Sequence, residues 1–83
     1  MTNAEIADKL NGYARELRRR HENLFRVKAY RKAAEMVLRL GCPVDELVHE
    51  KGRKALARIP GLGRHLAETI ARYIETGEWR ARH

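Results

Sequence analysis

The chain has 83 residues, with 18 Lys+Arg against 11 Asp+Glu and a net charge of +7. Its one cysteine, Cys42, excludes an intrachain disulfide and gives no zinc spacing with any histidine. No apolar run reaches membrane-spanning length, and Met1–Glu5 is not a signal peptide. These limits predict one small monomeric domain over residues 1–83, in a reducing intracellular setting (cytoplasmic, nucleoid-associated if bacterial), with a polyanionic partner. Helix formers dominate and β-branched residues are scattered. The expected fold is therefore all-α, a compact bundle of four to five short helices.

The first helix should start at Thr2, which stands three residues before Glu5 in a capping-box spacing. Ile6, Leu10, Tyr13 and Leu17 form its apolar stripe, with Ala7 and Ala14 beside them. Gly12 inside that stripe suggests a close helix contact, because glycine there costs about 1 kcal/mol relative to alanine. The Arg15, Arg18, Arg19, Arg20 run suits the negative end of the helix dipole. His21-Glu22-Asn23 ends the helix, with Asn23 as the turn or cap residue.

The second helix runs from Leu24 or Phe25 to Leu40, with Val27, Tyr30, Ala33, Ala34, Val37 and Leu38 facing inward. Its outer face carries Arg26, Lys28, Arg31, Lys32 and Arg39 against Glu35 alone. Such a face is either solvated or turned to a polyanion, and its near-uniform sign favours the second. Gly41 should close this helix at C′. Pro43 starts a short third helix that is anchored by Leu47 and Val48 and stops at Gly52. A further helical piece, 53–58, carries Leu56 inward.

Ile59-Pro60-Gly61-Leu62-Gly63 then breaks the chain. Pro60 cannot continue a helix, the glycines permit close backbone approach, and Leu62 can pin the turn to the core. The amides of Gly63, Arg64 and His65 open the next helix, where unpartnered N–H groups and a positive dipole end favour an anion. A tight turn without a ligand fits the same five residues. The last helix puts Leu66, Ile70, Tyr73 and Ile74 on one face and closes at Gly77. Trp79 should fold back on it, and 80–83 should fray.

A helix, a Pro-Gly-x-Gly turn and an amphipathic helix ending in Thr76-Gly77 resemble the helix-hairpin-helix motif, here at about 53–77. Together with Asn23-Leu24-Phe25-Arg26-Val27-Lys28-Ala29-Tyr30-Arg31-Lys32-Ala33-Ala34, the pattern resembles the amino-terminal domain of X-family DNA polymerases from Ile6 to Gly77. That resemblance implies a DNA-repair module gripping the sugar-phosphate backbone at gaps or 5′-phosphate ends, without base specificity. It places Arg26, Tyr30 and His65 around the phosphate and the Gly61 and Gly63 amides on the DNA backbone. It also implies a monovalent cation (Na+ or K+) on the carbonyls of Ala57, Ile59 and Leu62, with no cofactor required. Arg26 and His65 stand where the best-known member has lysines. Where lyase-active members carry their imine-forming lysine this chain has Thr69, whose hydroxyl cannot form an imine.

Three functions compete at this point. The first is a DNA-binding module using Arg26, Lys28, Arg31, Lys32, Arg64 and the hairpin amides. The second is a 5′-deoxyribose-phosphate lyase using a displaced Lys28 or Lys32. The third is a protein-interaction domain that has lost DNA binding. Met1 and the Thr2 cap suggest a true start, whereas the end after His83 suits either an excised domain or a stand-alone protein.

Overall fold

In the computed structural model, residues 1–81 are described. Five helices run in chain order: α1 Asn3–Arg19, α2 Leu24–Arg39, α3 Val44–Lys51, α4 Arg53–Ala57 and α5 Arg64–Thr76. No strand occurs among the described residues. α1 lies along α2, α4 pairs with α5, and α3 packs against both members of that pair.

The predicted cap at Thr2 is complete. Its Oγ1 accepts the Glu5 N–H at 3.1 Å, and the Glu5 carboxylate accepts the Thr2 N–H at 3.3 Å. The other end of α1 closes in a Schellman motif: Glu22 N–H donates to Leu17 O and His21 N–H to Arg18 O. The left-handed position is held by His21 at φ 59°, where glycine or asparagine is usual. Asn23 instead caps α2, its Oδ1 accepting Phe25 N–H at 2.7 Å.

Ile6, Leu10 and Leu17 of α1 meet Val27, Tyr30, Ala34 and Val37 of α2 in the core, joined by Leu56, Leu62, Leu66 and Ile70. Four expectations change. Leu38 is 56% exposed, because it sits at the edge of the arc centred on Tyr30, Ala33 and Val37. Gly12 meets no close helix, since a Cβ there would find only Arg15 Nη2 at 3.8 Å. α2 ends on an extended Leu40, and Gly41 is not among the glycines with positive φ. In α3, Val44 is fully buried and anchors more deeply than Leu47, which is half-buried.

Asn3 explains the burial of Val44. Its Oδ1 accepts Val44 N–H at 2.8 Å, and its Nδ2 donates to the carbonyls of Val37 (3.2 Å) and Cys42 (3.0 Å). One side chain thus ties the start of α1 to the end of α2 and the start of α3. Trp79 folds back as predicted, edge-on to Tyr73 at 5.5 Å and Tyr13 at 6.5 Å. The tail is ordered further than expected: Arg80 pairs with Glu78, and Ala81 packs on the core. Arg82 and His83, predicted to fray, lie outside the described residues.

Candidate nucleic-acid interface

The hairpin is a hydrogen-bonded turn in which Leu62 N–H donates to Ile59 O at 3.0 Å. Pro60 takes the second position and Gly61 the third at φ 89°, the pattern of a type II turn. Leu62, 3% exposed, holds the turn to the core. The α5 ladder begins with Ala67 N–H donating to Gly63 O, and no side chain caps the Gly63 end. The positive end of α5 therefore opens on the surface beside exposed Arg64 and His65.

Gly61 also carries the contact that unites the site. A Cβ on Gly61 would stand 3.0 Å from Met36 Cγ and 3.2 Å from Lys32 Cγ. The turn thus lies on the second half of α2, against the stem of a lysine from the cationic face. Arg26, Lys28, Arg31 and Lys32 are exposed, with no carboxylate at ion-pair distance among the described residues. Arg39 differs, pairing with Glu35 at 3.0 Å. The sequence motifs in α2 and the hairpin, about thirty residues apart, meet at Lys32.

Tyr30 does not join that surface, which corrects the expectation of a phosphate contact. It is 1% exposed, and its ring meets the Tyr13 ring at 4.8 Å. Burial, reinforced by Tyr13 and opposed by Arg26, pushes its phenol up to about 12. Its spacing in α2 places it on the α1 side, so its role is to pack the helix that displays Arg26.

His65 meets residues that were not anticipated. With Glu68, Thr69, Arg72 and Arg80 it lines a cleft of about 270 Å³. Thr69 is 6% exposed, and its hydroxyl donates to His65 O at 3.0 Å. His65, Thr69 and Arg72 recur at helical spacing on one face, so Arg72 was readable from the sequence. Arg80 was not, because the turn at Gly77 and the Trp79 packing bring it there. Phe25 was also missed; it is 82% exposed next to Arg26.

The three carbonyls expected around a monovalent cation belong to the turn and its approach. That of Ile59 already accepts Leu62 N–H, which leaves it one lone pair for an ion. Among the described residues no cluster of His, Cys, Asp or Glu could hold a metal, and no helix is long and apolar enough to cross a membrane.

No curated protein matches the chain. Residues 1–79 match a family described as a helix-hairpin-helix domain. The match runs through the α2 face, the Gly61 turn and the Gly77 cap, and on it the chain belongs to the helix-hairpin-helix domain family.

Proposed function

We propose that the chain is a DNA-repair module resembling the amino-terminal domain of X-family polymerases. It grips the sugar-phosphate backbone at gaps or 5′-phosphate ends, as a monomer, inside the cell. Helix-hairpin-helix domains generally bind DNA. The observation that carries the finer reading is the seating of Gly61 on Lys32, which sets the hairpin beside one of four exposed α2 cations that have no acidic partner among the described residues. Amides and guanidinium groups that meet phosphates fix position without reading sequence. The His65–Arg72–Arg80 cleft offers the Arg72 guanidinium to a terminal phosphate, Arg80 being paired with Glu78. Exposed Phe25 offers a ring on which any base can stack. A monovalent cation on the carbonyls of Ala57, Ile59 and Leu62 would stiffen the hairpin.

Fluorescence-polarisation titrations over a salt series test this, using intact, gapped, 5′-phosphorylated and 5′-hydroxyl duplexes. The expected slope of log K against log salt is about −0.9 per phosphate neutralised, with tighter binding to the gapped 5′-phosphate form. Absence of binding at low salt refutes the proposal. Equal affinity for phosphate and hydroxyl ends removes the end-recognition part.

A further inference from the structure

Gly12 has no role in the fold described so far. It sits in the middle of α1, where glycine is a poor helix residue, and a Cβ there would meet only Arg15 Nη2 at 3.8 Å. It lines a groove of about 560 Å³ between α1 and the end of α5 with the segment that follows. Tyr13, Tyr73 and Trp79 supply the aromatic wall, with ring centroids 6.5 Å apart for Tyr13–Trp79 and 5.5 Å for Tyr73–Trp79. Glu5, Asp8 and Glu16 supply charge, at positions that share one face of α1 with Gly12. These carboxylates are not equivalent. Glu5 is held by the Thr2 cap, and Glu16 pairs with Arg19 and with Arg20 at 3.2 Å. Asp8 is exposed and has no cation at ion-pair distance among the described residues. One cation already stands in the groove: the Lys9 ammonium lies 6.0 Å from the Tyr73 ring centroid, at the outer limit of a cation–π contact.

Carboxylates repel phosphate, so this groove does not extend the nucleic-acid surface, and it shares no lining residue with the His65 cleft. Aromatic rings beside a carboxylate without a partner favour the opposite ligand. A guanidinium stacks on tyrosine or tryptophan, forks onto a carboxylate, and is less strongly hydrated than an ammonium. We propose that the groove docks an arginine side chain on an exposed segment of a partner protein. The guanidinium meets Asp8 and the Tyr73–Trp79 rings in place of Lys9, and the missing side chain at Gly12 lets the partner's backbone approach α1. Charge complementarity singles out this occupant: the chain carries +7 overall, yet this groove gathers three carboxylates against Lys9 alone. The site goes beyond DNA binding and stands whether or not the chain binds DNA.

The probe is a blocked hexapeptide alternating arginine and glycine, with a glutamate–glycine hexapeptide as control. Trp79, the one tryptophan of the chain, reports occupancy of the groove through its fluorescence. The arginine peptide should change that signal saturably, and the glutamate peptide should not. Asp8→Asn should weaken binding by about two- to fivefold, the usual size of an exposed charge pair. Glu50→Gln makes the same change of charge on α3, outside the groove, and should leave affinity unaltered. Gly12→Leu should keep or raise the thermal melt, since a Cβ there has space, and should abolish the response. Lys9→Ala, which vacates the Tyr73 ring, should bind at least as tightly as the wild type. No saturable response in the wild type, or equal losses in Asp8→Asn and Glu50→Gln, overturns the site. Unchanged binding in Gly12→Leu or weaker binding in Lys9→Ala overturns it as well. Concentration-dependent self-association that Asp8→Asn removes would assign the groove to a second copy of the chain and overturn the partner.

Discussion

Gly61→Ala tests whether the hairpin and α2 are one unit. A Cβ at φ 89° costs about 1–2 kcal/mol from backbone strain. The same Cβ would sit 3.0 Å from Met36 Cγ and 3.2 Å from Lys32 Cγ. Both neighbours are flexible, so they move, at about 0.5–1.5 kcal/mol for a side chain driven off its rotamer. The sum is about 1.5–3.5 kcal/mol, which in a domain of this length lowers Tm by at least about 6 °C. Gly63→Ala is the control. Gly63 has φ −74° and open space where a Cβ would go, so folding loses less than about 1 kcal/mol, from alanine being the poorer N-cap. Thermal melts followed by circular dichroism, paired with DNA titrations, separate the two. Gly61→Ala should lose both stability and affinity, because the lysine it displaces belongs to the cationic face. Gly63→Ala should keep its melt and lose affinity, because a methyl group then stands at the α5 amides. A Gly61→Ala variant melting with the wild type would refute the packing of the turn on α2.

Asn3→Ala removes three hydrogen bonds that join α1, α2 and α3; at about 0.5–1.5 kcal/mol each it should cost about 1.5–4.5 kcal/mol, read as a lower urea midpoint at unchanged m. His21→Gly relieves a left-handed residue and should raise Tm by a few degrees, about 1 kcal/mol less the entropy of the added glycine. Tyr30 gives an alkaline limit. Burial favours its neutral phenol, so stability is intact below the unfolded value near 10 and falls as pH rises through about 12. The loss is about 3 kcal/mol, and Tyr30→Phe should flatten that part of a pH–stability curve. Borohydride treatment with an incised abasic duplex should trap no covalent adduct, and a trapped adduct would place lyase chemistry in this domain.

Local signals carried most of the fold. The Thr2–Glu5 spacing, the inward Leu62 and the Gly77 terminus each depend on residues within four or five positions, and each stands where the sequence put it; Asn23 is a cap as expected, but of α2 and not of α1. Contacts that bridge distant segments were not legible. The burial of Val44 follows from an Asn3 hydrogen bond spanning 41 residues, and no period within α3 reports it. Tyr30 was legible twice over, as a core position by helical period and as a phosphate contact by resemblance, and packing against Tyr13 decided for the core. Arg26, Lys28, Arg31 and Lys32 were picked out by near-uniform charge, and Arg26 also by the resemblance. The distinction from Arg39 needed the Glu35 pair, and the distinction of Arg53 from Lys54 and Arg58 needed its pairs with Glu68 and Glu75.

The His65 cleft also bears on whether the domain holds a 5′ end or cuts one. Imine chemistry needs a primary amine with a lowered pKa close to the sugar carbon. His65, Glu68, Thr69, Arg72 and Arg80 line the cleft, and none of them is a primary amine. Thr69 is buried with its hydroxyl donated to its own helix, so it presents no nucleophile to the opening. The lysines that could substitute stand on α2. The stem of Lys32 is laid across Gly61, and Lys28 is exposed and not desolvated. What the cleft does present is the guanidinium of Arg72, with that of Arg80 paired to Glu78, and a guanidinium is a hydrogen-bond donor and not an imine-forming amine. Threonine in place of an amine, in a cleft whose other lining residues supply no primary amine, argues against imine chemistry there.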